Sequence, residues 1–336
     1  MIIQLKQNIS DSTFESLNKE LEKKGLTYSH IKTNNNDYLV CDIKKPIDIR
    51  EIGHLKGVKD VHKVNDKHKL VSKSWKLEQD GFDYGNNFSS KKGSPLIIAG
   101  PCAVESENQL NLISEHLENN NIQFMRGGVF KPRSSPYTFR GLGMEGIKMM
   151  FDICQSRNQK VVTEVMEVSQ IEKLYPYVDV FQIGARNSQN FNLLDAIGEI
   201  DKPVLLKRGM SGTIDELLYS AEYIFAKGND KIVLCERGIR TFENSYRNTF
   251  DINAIQVLKD KSHLPVIADP SHGVGIRSHV QKLSLASLMA GADGLIIEIH
   301  PQPEEAKSDG QQTLDFEESK LLFQKITQLK PFLFQN

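Results

Sequence analysis

From Pro95 onward the chain alternates short apolar runs with amphipathic ones, and the alternation recurs eight times. The apolar runs fall at residues 96–100, 123–128, 160–165, 180–185, 203–209, 232–238, 265–269 and 294–300. Short, nearly continuous apolar runs read as strands buried on both faces. Between them, residues 108–119, 144–156, 169–174, 190–200, 214–226, 252–259 and 278–290 carry helical spacing, and 316–329 closes the chain. Eight strands, each followed by a helix, over roughly 240 residues predict an α/β fold of the closed (β/α)8 barrel type, the TIM barrel. The competitor, an open doubly wound sheet, would carry a glycine fingerprint after its first strand. None is there.

The stretch ahead of the barrel has a different pattern. Strands are expected at 2–6, 27–32, 38–43 and 57–64, with helices at 11–24 and 46–55. This βαββαβ order is that of a ferredoxin-like unit. Residues 1–65 thus form a small domain, 66–92 a polar linker with one further strand at 69–77, and 93–336 the barrel. No group in the small domain looks catalytic; Cys41 and His54 read as structural or surface residues.

Charge decides which partners to consider. Lys and Arg number 42 against 43 Asp and Glu, a net charge of -1. No global field points to nucleic acid or an anionic membrane, so anion binding has to be local. The N-terminus reads as neither a signal peptide nor an anchor, and no apolar run is long enough to span a bilayer. Cys41, Cys102, Cys154 and Cys235 are scattered, a pattern of free thiols in a reducing cytoplasm.

Local positive charge is concentrated at residues 126–143, RGGVFKPRSSPYTFRGLG, with Arg126, Lys131, Arg133 and Arg140 and no acid. Taken alone this is a solvated basic loop, or a loop shaped for phosphate. The barrel frame favours the second. Cys102, Arg126, Arg186, Lys207, Arg237, His272 and Glu298 all fall at strand C-termini, the face where barrel enzymes do chemistry, and Asp309 lies in the loop beyond. Because a barrel closes, strands seven, eight and one are neighbours. Cys102, His272 and Glu298 therefore meet, with Asp309 beside them, as a mixed soft and hard set suited to a divalent transition metal. Strands four to six bring Arg186, Lys207 and Arg237 together at one depth as an anion site. Cys154 and Cys235 read as core residues, and His263, His279 and His300 as structural.

These motifs, GPCAVES, MRGGVFKPRSSPYTFRGLG, FQIGARN, LLKRGM, CERGIRTFE, ADPSHGVG and IIEIHPQPEEAKSDGQQTL, resemble the 3-deoxy-7-phosphoheptulonate (DAHP) synthases over about residues 95–334. The subgroup resembled belongs to the first family and carries a ferredoxin-like, ACT-like regulatory extension. The resemblance implies a metal-dependent, aldol-type condensation of phosphoenolpyruvate with erythrose 4-phosphate, releasing phosphate and opening the shikimate pathway to aromatic amino acids. It implies that Cys102, His272, Glu298 and Asp309 bind a divalent Mn, Fe, Co or Zn ion. Arg126, Lys131, Arg186, Lys207 and Arg237, with the backbone of Gly184 and Ala185, would hold phosphoenolpyruvate. Lys131, Pro132, Arg133 and Ser134 would hold the aldose phosphate, Ser134 standing where the family usually has Thr.

Catalytic roles are expected for Lys207, as an acid/base or electrostatic group, and for Cys102 and His272 through the ion. Glu164 is a candidate for activating water. The resemblance further suggests tyrosine or phenylalanine as effector and a homodimer or homotetramer. The nearest rival is 3-deoxy-8-phosphooctulonate synthase, which uses arabinose 5-phosphate and reads KANRSS where this chain has KPRS. A non-catalytic sensor barrel is the other alternative, and the presence of every expected ligand and cation argues against it.

Overall fold

The eight repeats close on themselves in the computed structural model, which describes residues 1–43, 47–76, 81–83, 89–91, 94–132, 135 and 137–333. The first four strands belong to the small unit: β1 (Ile2–Leu5), β2 (Thr27–Lys32), β3 (Asp37–Asp42) and β4 (Val58–His62). A two-stranded ribbon follows, β5 (Gly81–Asp83) and β6 (Ser89–Lys91). The barrel strands are β7 (Leu96–Gly100), β8 (Phe124–Arg126), β9 (Lys160–Val165), β10 (Val180–Ile183), β11 (Val204–Lys207), β12 (Ile232–Glu236), β13 (Val266–Ala268) and β14 (Gly294–Glu298). They form one closed parallel barrel, with β14 pairing β7 to complete the ring.

The interior explains the closure. Leu96, Ile98, Phe124, Val162, Val180, Leu205, Val233, Cys235, Ile267 and Ile296 form one buried cluster drawn from all eight strands. Alternate residues of the same strands, such as Ala99, Val161, Phe181 and Leu234, point outward into the core shared with the helices. This two-residue period is what a parallel strand covered on both sides requires. Those helices are α3 (Glu107–Asn119), α4 (Gly143–Ser156), α5 (Val168–Leu174), α6 (Phe191–Gly198), α7 (Ile214–Ala226), α8 (Ile252–Lys261), α10 (Arg277–Met289) and α11 (Phe316–Leu329), with a short α9 (Pro270–Val274) before α10. Thr213 with Glu216, and Asp315 with Glu318, close capping boxes at α7 and α11 and satisfy backbone donors there.

In the small unit, α1 (Asp11–Lys23) and α2 (Ile49–Gly53) complete the βαββαβ order. The antiparallel sheet order is β2-β3-β1-β4, the ferredoxin-like arrangement. One face has its own core, including Ile3, Leu17, Leu21, Leu39 and Ile52. The other meets the barrel: Tyr38 lies edge-on to Trp75 at 5.4 Å and to Phe225 of α7 at 6.0 Å.

The strand expected at 69–77 does not form over 69–76, which run as turns; Leu77 lies outside the described residues. The cause is one carboxylate. Glu222 on α7 accepts the backbone N–H groups of Lys69, Leu70 and Val71 at 3.0, 2.8 and 3.0 Å. Three successive N–H groups aimed at a single acceptor cannot alternate in direction as a strand's do. Nor is this part of the connection solvated, since Leu70, Val71 and Trp75 are buried and Trp75 Nε1 donates to Leu70 O at 3.0 Å.

Candidate active site

On one side of the barrel mouth, strands β13, β14 and β7 run side by side. Cys102 stands just beyond β7, Glu298 ends β14, and His272 lies on α9. Pro270 opens that helix, and Asp269 caps it by accepting the His272 N–H at 3.0 Å. Asp309 holds a left-handed backbone, φ 56°, unusual for a residue with a side chain and commonest where function demands it. One ligand atom from each of Cys102, His272, Glu298 and Asp309 lies within 4.8 Å of the others. His272 Nε2 is 3.3 Å from Glu298 Oε1 and 3.8 Å from Asp309 Oδ2, and Cys102 Sγ is 3.5 Å from the same Asp309 oxygen. A thiol, an imidazole and two carboxylates converging at this spacing fit a divalent transition metal.

Surrounding groups orient and charge these donors. Burial pushes the Cys102 thiol up to about 12, with Glu298 adding to the rise. Burial would raise Glu298 too, but His272, Arg126 and Lys131 outweigh it and hold the carboxyl at about 2. Its Oε1 accepts from Arg126 Nη1 and its Oε2 from Gln312 Nε2, each at 2.6 Å. Gln312 Oε1 in turn accepts from Arg247 Nη1 at 2.6 Å. On the far side of the imidazole, His272 Nδ1 is 2.8 Å from Asp269 Oδ2. Such outer contacts fix how a ligand presents itself to an ion.

A cleft opens beside these donors, lined by Arg126, Lys131, Pro132, Arg186, Lys207 and Arg237 among others. Lys131 Nζ bridges to the four-donor cluster, 3.0 Å from Cys102 O and 3.1 Å from its Sγ. The buried Arg126 Nε has no hydrogen-bond partner among the described residues. Arg237 is buried as well, and burial lowers its pKa. Lys207 Nζ is 2.5 Å from Asp269 Oδ2. The expectation that Arg186, Lys207 and Arg237 share one depth is corrected here. Lys207 and Arg237 are buried at the strand ends, whereas Arg186 sits exposed on the turn after β10.

Gly184 shows how tightly the wall is built. A Cβ there would lie 2.0 Å from Glu164 Oε1, so any side chain at this position would displace that carboxylate. Arg133 and Ser134 lie outside the described residues. Arg240, Arg247 and Asn248 also line the cleft, and sequence reasoning passed over them. Arg240 was within reach, inside CERGIRTFE; Arg247 and Asn248 stand in a loop whose path no periodicity predicts.

The chain is similar to proteins of one family. The model of the DAHP synthetase I family matches residues 77–334. A phospho-2-dehydro-3-deoxyheptonate aldolase of Thermotoga maritima is 47% identical over 272 residues, 81% of this chain and 80% of that protein. A 2-dehydro-3-deoxyphosphooctonate aldolase of Francisella tularensis is 31% identical over 243 residues, 67% of this chain and 87% of that protein. Among solved structures, a crystal structure of the T. maritima aldolase (DAHP synthase) superposes with a TM-score of 0.78 at 40% identity, covering 98% of this chain and 97% of that one. A truncated form from the same organism gives 0.73 at 43% identity, over 78% of this chain and 96% of that one. A family match across the whole barrel, joined to a relative this similar over most of both chains, leaves one conclusion: the chain belongs to the DAHP synthetase I family.

Proposed function

We propose that this cleft joins phosphoenolpyruvate to erythrose 4-phosphate with uptake of one water, giving 3-deoxy-D-arabino-heptulosonate 7-phosphate and inorganic phosphate. The observation that carries the reading is the adjacency of the four donor atoms, within 4.8 Å of one another, to a cleft lined by buried cations. Bound by Cys102, His272, Glu298 and Asp309, a divalent ion would supply Lewis acidity toward the aldehyde and a template for its approach. The chain's own residues do the rest. Arg126, Lys131, Lys207 and Arg237, with Arg186 at the mouth, bind the carboxylate and phosphate of the enol phosphate and turn its C3 toward the aldehyde. As the new C–C bond forms, positive charge grows at C2 and water adds there. The Glu164 carboxylate, which lines the same cleft, takes that water's proton. The C2–O bond to phosphate then breaks, and Lys207 and Arg237 stabilise the departing dianion.

The ion is Mn, Fe, Co or Zn, all of which suit this ligand set. All four cysteines are free, which supports work in the reducing cytoplasm. Residues 1–65 act as a regulatory unit in a homodimer or homotetramer, joined through 66–92 to the barrel at 93–336, with tyrosine or phenylalanine as effector.

Phosphate release tests the reading, with erythrose 4-phosphate or arabinose 5-phosphate as co-substrate. Fast turnover with the four-carbon sugar, abolished by chelation and restored by Mn2+, is expected. A higher kcat/KM with arabinose 5-phosphate, or full activity in protein shown metal-free by elemental analysis, contradicts it.

A further inference from the structure

Asp269 stands just past the end of β13, 1% exposed, and its carboxylate serves both halves of the cleft. Oδ2 lies 2.5 Å from Lys207 Nζ and 2.8 Å from His272 Nδ1. Oδ1 accepts the His272 backbone N–H at 3.0 Å. The Asp269 N–H donates to Glu236 O at 2.8 Å, tying this corner to β12. Nδ1 makes no hydrogen bond among the described residues, so its approach to Oδ2 is a charge contact rather than a bond along the ring N–H. On the other side of the ring, Nε2 faces Glu298 and Asp309, 3.3 and 3.8 Å away. The same oxygen holds the Lys207 ammonium from one side and leaves its other hydrogens for an anion.

We propose that Asp269 is a positioning residue that places the His272 ring and the Lys207 ammonium together, so that one carboxylate assembles the metal half and the phosphate half of the cleft. The proposal rests on the reading above of His272 as a ligand and Lys207 as an anion-binding group. It differs from a role confined to capping α9, which would involve neither side chain.

Asp269→Asn separates the two roles. It keeps the shape and the capping oxygen but carries no charge, so the ammonium and the imidazole lose the anion they share. Metal-free full-length protein is titrated with Co2+ and followed by thiolate-to-cobalt charge-transfer absorption. Asp269→Asn is expected to bind Co2+ roughly 10- to 100-fold more weakly than the wild type. KM for phosphoenolpyruvate should rise as well. In a His272→Ala background, Asp269→Asn should add little further loss, as two groups acting through one contact do. Should the Asn variant not fold, Asp269→Ser keeps a capping hydroxyl, lacks the carboxylate and carries the same expectation. Unchanged Co2+ affinity and KM with only a lowered melting temperature mean a cap alone, and the proposal is overturned. If His272→Ala loses Co2+ while both Asp269 variants keep it, Asp269 is excluded and the metal reading stands. If His272→Ala binds Co2+ like the wild type, the metal reading fails and takes this proposal with it.

Discussion

Arg126 Nη1 lies 2.6 Å from Glu298 Oε1, and both side chains are buried. The two strands that carry them, β8 and β14, flank β7 on opposite sides, so the pair spans the strand that leads to Cys102. One partner lines the cleft and the other belongs to the four-donor cluster. The basic segment at 126–143 is therefore not uniformly unpaired: its first cation is matched by an acid far away in sequence.

Breaking that pair has a definite cost. Arg126→Met leaves the Glu298 carboxylate buried with a hydrogen-bonded cationic partner gone, a change of about 3–5 kcal/mol. Urea unfolding of chelator-treated protein should show that loss, and adding Glu298→Gln should recover much of it. A loss below about 1 kcal/mol, with no recovery in the double variant, would mean that the pair carries little stability.

The phosphate cations should respond unequally. Arg237 is buried, whereas Arg186 is exposed at the mouth. A charge-assisted hydrogen bond made away from water contributes about 1.5–3 kcal/mol, so Arg237→Ala should lower kcat/KM for phosphoenolpyruvate at least roughly tenfold. Arg186→Ala should cost less. Equal losses in both variants would show that burial does not order their contributions, and unchanged kinetics in both would place the anion elsewhere.

What was legible in the sequence follows the physics of each element. Strand β7 and helices such as α7 and α11 match their expected bounds because a continuous apolar run, or a capping residue followed by helical spacing, is a local signal. The four proposed ligands were legible because barrel closure alone makes β13, β14 and β7 neighbours. The turn at 69–76 was not, because its conformation is imposed by Glu222, more than 150 residues away. Asp269 and Gln312 escaped for a similar reason. Both stand inside recognised motifs, but their roles lie in which oxygen or nitrogen faces which neighbour, and spacing does not encode that.

His263 predicts a pH dependence of stability. Its ring lies 5.4 Å from Trp75 and 6.3 Å from Phe225, and Nε2 donates to Leu70 O at 2.8 Å. Burial, helped by the charge of Lys76, pushes its pKa down from 6.5 to about 3. Between those two values the unfolded chain binds a proton that the folded chain refuses, so stability is full above pH 6.5 and falls as pH drops toward 3. Within the window this one group contributes a slope of about 1.4 kcal/mol per pH unit. Urea unfolding at pH 7, 6 and 5 should show a shallower decline in His263→Gln than in the wild type. Parallel declines would assign the acid lability to other groups.

The position of the small unit refines how it should be removed. If residues 1–65 regulate the barrel, then tyrosine or phenylalanine must inhibit the intact protein by favouring one arrangement of that unit over another. The seam is apolar, with Tyr38 against Trp75 and Phe225, but Leu70, Val71 and Trp75 on the connecting segment are themselves buried in the core shared with the barrel. A cut before this segment removes the sheet and leaves those side chains in place, with Glu222 still capping the turn. A cut at residue 90 strips them away and uncovers Phe225 and His263. Each fully buried side chain of this size is worth about 1.5–3 kcal/mol, so the longer deletion should melt markedly lower. Deletion of 1–64 should give a folded, active barrel that neither amino acid inhibits, while deletion of 1–90 should give a less stable one. Equal melting temperatures would show that the segment contributes nothing to the barrel's stability. A full-length protein indifferent to both amino acids, or a 1–64 deletion inhibited as strongly as the intact chain, would remove the regulatory role from the small unit.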